Sequence, residues 1–70
     1  MTDESIKKTA RQIQAIRRSK HITQELVAKK AGVSISYYAQ VERGEINPTT
    51  SKLIRIIDAL EVESKDILGK

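Results

Sequence analysis

Seventy residues limit the chain to a single domain, which at this size buries only about 60% of the surface its unfolded form exposes. No cysteine is present, which excludes disulfides, thiolate chemistry and cysteine-ligated zinc, and no apolar run is long enough to span a bilayer. The formal charge of +4 is uneven: residues 1–30 hold eight Lys/Arg against three acids, residues 31–70 five against six. Such a basic first half fits a polyanionic partner, and fits an ordinary solvated surface nearly as well.

Met1-Thr2-Asp3-Glu4 lacks the basic-then-apolar pattern of a secretory signal, so a cytoplasmic protein starting at Met1 is expected. Apolar residues then recur at helical spacing in short segments separated by turn signals. Ile6, Ala10, Ile13 and Ile16 line one face of a helix predicted from about Ser5 to Ser19, with Lys7, Lys8, Arg11 and Arg18 opposite. Lys20-His21-Ile22 breaks the period. Thr23 is suited to cap a second helix bearing Leu26, Val27 and Ala28. Gly32 stops that helix, since glycine enters left-handed backbone at no steric cost.

Ser34 is placed to cap a third helix running through Arg43, with Gly44 as its terminator. Pro48 falls in a connector, and Thr49 or Thr50 caps a fourth helix bearing Leu53, Ile54, Ile56, Ile57 and Leu60. Burial is the expected use of that apolar stretch. Ser64 opens a last turn or two with Ile67 and Leu68 facing inward. The expectation is all-α: five helices, no strand, one domain over residues 1–70.

Only a few residues around Gly32 separate the second and third helices, and a short glycine-bearing turn forces a large crossing angle. Such a pair closes no core alone, so helices one and four must cover it. On the third helix Tyr38 and Val41 face the core, with Tyr37 at its edge. Ser36, Ala39, Gln40 and Arg43 share the other side, and Ile35 sits near its start. That side is short-chained and nearly free of acid, which lets a helix seat deeply against a partner. Gln40 has the donor and acceptor for a bidentate pair with adenine, and Ile35 and Ala39 offer apolar contact to a thymine methyl. Ser34 and the free amides of the helix start can hold a phosphate oxygen. The same residues suit a plain solvated helix, which periodicity alone favours.

Ile22-Thr23-Gln24-Glu25 opens the second helix, and Ala28 with Ala31-Gly32-Val33-Ser34 leads across the turn. Ser36-Tyr37 and Val41-Glu42-Arg43-Gly44 begin and close the third helix, Asn47-Pro48-Thr49 precedes the fourth, and Ala59-Leu60, Val62 and Asp66-Ile67-Leu68 complete the order. In this arrangement residues 22–62 resemble the phage repressor and Cro type of helix-turn-helix, a lambda repressor-like, XRE-like family of transcription regulators. With the first helix included, the likeness covers nearly the whole chain.

The resemblance implies a compact five-helix domain with the helix-turn-helix at about residues 23–43. Its third helix lies in the major groove of double-stranded DNA and its second crosses the backbone above. Gln24 corresponds to a phosphate contact; Ser34, Ile35, Ser36, Ala39 and Gln40 match positions that reach bases or nearby phosphates. Arg43 and Asn47 match sugar-phosphate contacts. Two roles stay open for Tyr37, a hydroxyl contact to the backbone and an edge-of-core aromatic. Arg43 also suits the negative pole of its helix, and the two roles are compatible. Members of the family often pair the positions of Arg17 and Glu42 in a partly buried salt bridge, which assigns Arg17 to structure rather than to DNA. The final loop and helix form dimer contacts in such proteins, which makes Val62, Ile67 and Leu68 candidates in competition with core packing.

Four positions depart from the pattern. His21 stands where glycine is common, though histidine tolerates positive φ better than most residues. Leu26 occupies a usually polar position and Thr50 a usually apolar one. Glu61 replaces a glycine, which puts strain on that turn and bears on dimer geometry.

Other chemistries find little support. His21 is the only histidine and has no ligand cluster around it, so neither metal nor cofactor is expected. The glycines form no phosphate-binding loop, and a domain this small has no pocket-sized core for a triad, so no enzyme is expected. Helix one is basic and amphipathic, but its apolar face lacks Trp and Phe, and packing explains it better than a membrane surface. The resulting expectation is a cytoplasmic, sequence-specific regulator, a repressor acting as a homodimer on a palindromic operator. The alternative is an adaptor or antitoxin-like module whose main partner is a protein, kept open by the few bulky polar groups on helix three.

Overall fold

The computed structural model describes residues 3–61, and among them four helices. They are α1 (Asp3–Ser19), α2 (Gln24–Ala31), α3 (Ile35–Glu42) and α4 (Thr50–Ala59). Among the described residues there are thus four helices, not the five expected; the element expected from Ser64 lies outside the described residues, as do Val62, Ile67 and Leu68. Helix α1 begins two residues before the expected Ser5, and α3 ends at Glu42, with Arg43 as its C-cap.

Three of the helices start the same way. Thr23, Ser34 and Thr49 hold extended backbone, and their hydroxyl oxygens accept from the N–H of Leu26 (3.1 Å), Tyr37 (2.9 Å) and Lys52 (3.3 Å). Each bond satisfies one of the amides that a helix start leaves without an internal partner. Thr49, not Thr50, is therefore the cap of α4.

The helix ends share a second device. Gly32 (φ 73°) closes α2, its N–H reaching Lys29 O while the Val33 N–H reaches back to Ala28 O. Gly44 (φ 71°) does the same after α3, with its N–H on Val41 O and the Glu45 N–H on Gln40 O. This paired closure needs a left-handed residue. After α1 the same bonds form around His21 (φ 57°), so histidine does the work of glycine there. Glu61, also at φ 57°, follows α4. A left-handed residue with a Cβ is strained, so the two positions that depart from glycine are both strained turns. Gly44 has a further constraint, because a Cβ there would come within 3.1 Å of Lys7 Cγ on α1.

Ile13 of α1, Val27, Ala28 and Ala31 of α2, Tyr38 and Val41 of α3, and Ile56, Ile57, Ala59 and Leu60 at α4 form one buried cluster. Small residues on α2 let α3 and α4 approach it closely, and α1 closes the cluster from the α3 side. Each large side chain buried in this way contributes about 1.5–3 kcal/mol. Ile16, Ile22, Val33, Tyr37, Ile46 and Leu53 pack around the cluster as partly buried neighbours. Ile54 is not among them, contrary to the expectation for α4. It stands 51% exposed, because two residues is more than half a helical turn from buried Ile56.

Candidate nucleic-acid interface

Gly32, Val33 and Ser34 join α2 to α3 in three residues, so the direction of α3 is set by the αL turn and by the burial of Tyr38 and Val41. Turning those two inward turns Ser36, Ala39, Gln40 and Arg43 outward, since positions three and four apart share a helix face. Ile35 (48% exposed) and Ser36 are exposed at the start of that face, Ala39 and Gln40 are half-buried in its middle, and Arg43 is exposed at its end. Among the described residues Gln40 and Asn47 have no side-chain hydrogen-bond partner, and Asn47 is exposed in the connector to α4. The Ser34 hydroxyl oxygen is occupied by its own helix cap, which leaves its O–H as the donor.

Tyr37 is partly buried against the core, and Lys52 Nζ lies 4.6 Å above its ring. That places Lys52, in the first turn of α4, at the edge of the outward face of α3. Sequence reading did not single out Lys52, because its place over Tyr37 depends on how α4 docks beside α3. Arg43 is held by Glu45 through two bonds, Nε to Oε2 at 2.6 Å and Nη2 to Oε1 at 3.1 Å. The hydrogen bonds to Glu45 raise the Arg43 pKa, and those from Arg43 lower that of Glu45. Both side chains are about half exposed, so solvent screens the pair and phosphate can compete for the guanidinium.

Behind this face lies a buried polar knot centred on Glu42, which is 4% exposed. Arg17 donates from Nε to Oε2 (2.5 Å) and from Nη2 to Oε1 (3.2 Å), and its Nη1 donates to Ile22 O (2.8 Å). Gln24 Nε2 donates to the same Oε1 at 3.0 Å, and Gln14 Nε2 reaches it at 3.5 Å. Burial alone would raise the Glu42 pKa; the hydrogen bonds from Arg17 and Gln24 and the Arg17 charge help outweigh it, so the carboxyl titrates below its ordinary value. The Tyr38 hydroxyl is buried close to the pair but finds no partner at hydrogen-bond geometry among the described residues. Burial, followed by the neighbouring carboxylate, pushes its ionisation well above the usual phenol range.

A family model described as helix-turn-helix matches residues 13–67. The chain belongs to that helix-turn-helix family. An immunity repressor protein of Bacillus phage phi105 is 40% identical over 58 residues, which is 83% of this chain and 40% of that protein. The cryptic phage CTXphi transcriptional repressor RstR of Vibrio cholerae is 38% identical over 48 residues, 69% of this chain and 43% of the repressor. The chain therefore spans less than half the length of either repressor. Among solved structures, the restriction-modification controller protein C.AhdI from Aeromonas hydrophila superposes with a TM-score of 0.85 at 27% identity, over 89% of this chain and 94% of the controller.

Within this helix-turn-helix the residues marked from sequence divide into two groups. Ser34, Ile35, Ser36, Ala39, Gln40, Arg43 and Asn47 lie along or just beyond the outward side of α3, with Tyr37 at its edge. Arg17 and Glu42 meet inside as an ion pair. Gln24 spans the two groups: it starts α2 yet its amide reaches the buried carboxylate.

Proposed function

We propose that this chain is a sequence-specific DNA-binding domain of a transcription regulator, a repressor acting as a homodimer. The observation that carries the reading is the outward side of α3. It combines a partner-free carboxamide at Gln40, apolar Ile35 and Ala39 and a cation at Arg43, and has no acid between Ile35 and Gln40. An α-helix of this girth fits the major groove, where Gln40 has the donor and acceptor to pair with adenine. Cations at Arg43 and Lys52, with Asn47, serve the phosphate track on one side of that helix, and the start of α2 serves it on the other. The named relatives are phage repressors and the structural neighbour is a controller protein, which supports a regulator. A palindromic operator with half-sites about one helical turn apart follows from two copies related by symmetry.

The reading assigns binding rather than catalysis, with no cofactor, in the cytoplasm. No helix among the described residues is long and apolar enough to cross a membrane. Selection from random duplex DNA at moderate salt, with solution mass measured on the bound state, tests it. One enriched palindrome bound by a dimer is expected. Recovery of no sequence would sink the regulator reading in favour of a protein-binding adaptor. With the enriched site in hand, Gln40→Ala is expected to reduce its advantage over a single-base variant by about 1–3 kcal/mol while leaving non-specific binding intact.

A further inference from the structure

We infer that Glu42 is a positioning residue for a DNA contact made by Gln24, an inference that rests on the DNA-binding reading above. Gln24 is the first residue of α2 and Glu42 the last of α3, and their side chains meet at 3.0 Å. An ionised carboxylate only accepts, so it dictates which end of the Gln24 carboxamide points inward: the nitrogen. One Nε2 hydrogen is used in this bond, and the second is left for a partner outside. A Gln24 freed from Glu42 would flip and sample other rotamers, presenting its carbonyl oxygen where a phosphate needs a donor.

Glu42 cannot turn away to release it. Arg17 grips both carboxylate oxygens from α1, and the Nη1 of the same guanidinium holds Ile22 O, one residue before the cap Thr23. The α2 cap, the Gln24 amide and the end of α3 are thereby tied to one buried ion pair. Thr23 takes the Leu26 N–H, which leaves the earlier amides of the first turn of α2 beside the fixed Gln24 side chain. Main-chain and side-chain donors face the same anion only while the amide is held. The Arg17–Glu42 pair thus connects fold to recognition, beyond its role in stability.

A double-mutant cycle tests this on DNA. Gln24→Ala, Glu42→Gln and the double variant are titrated against one selected duplex at fixed salt, using protein shown by circular dichroism to be folded. Each single change is expected to weaken binding about three- to tenfold, and the double variant to bind no more weakly than Gln24→Ala alone. An equal cost of Glu42→Gln with and without Gln24 means that the carboxylate serves the fold only, and overturns the role. Should Glu42→Gln leave no folded protein, the Gln24 side-chain amide in nitrogen-15 NMR of the unaltered chain decides. One amide proton shifted away from its free-glutamine position and slow to exchange with water is expected, and both protons at free-glutamine positions with fast exchange overturn the role. If the unaltered chain binds no duplex, the DNA reading fails; a held amide in the same NMR spectrum then assigns the contact to the fold alone.

Discussion

On the inner side of α3, Tyr38, Val41 and Glu42 are 0–4% exposed, whereas Ile35 at the start of the outer side stands 48% exposed. The inner residues touch other helices and each other; on the outer side Ile35, Ser36 and Arg43 are exposed, and Ala39 and Gln40 are half-buried. Inside, the Glu42 charge is tolerated because it is paired by Arg17, Gln24 and Gln14. Outside, the helix carries almost no structural obligation, so its side chains are free to serve recognition. The difference teaches that stability and specificity reside on opposite sides of an eight-residue helix. Substitutions should separate the two properties cleanly, except at the Gln24–Glu42 contact that joins them.

The largest expected effect lies on the inner side. Arg17→Ala strands the Glu42 carboxylate and should cost about 3–5 kcal/mol, toward the lower end because Arg17 keeps 13% side-chain exposure. Chemical denaturation read by circular dichroism measures it. A loss under 1 kcal/mol would break the comparison, because the knot would then be no more structural than the surface.

Acid probes the same knot more gently. The Glu42 pKa is lowered in the folded state, so its contribution is complete above the unfolded carboxyl value near 4.3 and is lost as pH falls through the lower folded value. Unfolding free energy should therefore decline below about pH 4, with a shallower decline in Glu42→Gln. An identical acid limb in both proteins would assign the decline to other carboxyls.

Tyr38→Phe sharpens the contrast between paired and unpaired groups inside. The hydroxyl has no partner, so its removal should leave thermal stability unchanged or raise it by up to about 1 kcal/mol. A clear loss would show that the hydroxyl supports Glu42. The smallest effect lies outside: Glu45→Gln frees Arg43 from its internal rival without touching the core. Unfolding should be unaltered, while affinity for any duplex rises a few-fold and the slope of log K against log salt steepens by up to about 0.9. An unchanged affinity and slope would mean that Glu45 does not hold Arg43 back from phosphate.

Local chemistry made much of this molecule readable in advance. Thr23, Ser34, Gly32 and Gly44 each act on backbone within a few residues, and the structure uses them as caps and left-handed closures. The apolar period begins at Ile6 and so predicts a later start for α1 than the one observed. The preceding turn rests on the favourable position of an acid such as Glu4 near the helix N-terminus, which carries no periodicity. Composition alone places Ile54 in the core, whereas the phase set by Ile56, Ile57 and Leu60 leaves it outside. The candidate contacts of α3 were legible once Tyr38 and Val41 defined its inward side. Lys52 was not, because its place above Tyr37 depends on how α4 docks beside α3.

What the sequence determined by itself, then, is the set of short-range decisions: which residues cap α2 and α3, which glycines close them, and which side of α3 is left over. These follow from backbone sterics, capping and helical period, all of which act within a turn or two of chain. Only the tertiary structure decided which distant groups share a site. Gln24 and Glu42 are 18 residues apart, and Arg17 and Glu42 are 25 apart. Arg43 and Glu45, although near neighbours, face one another only because the left-handed Gly44 folds the chain back. No local rule relates such pairs. Packing brings them together, and once water is excluded a buried carboxylate is stable only with its donors gathered around it.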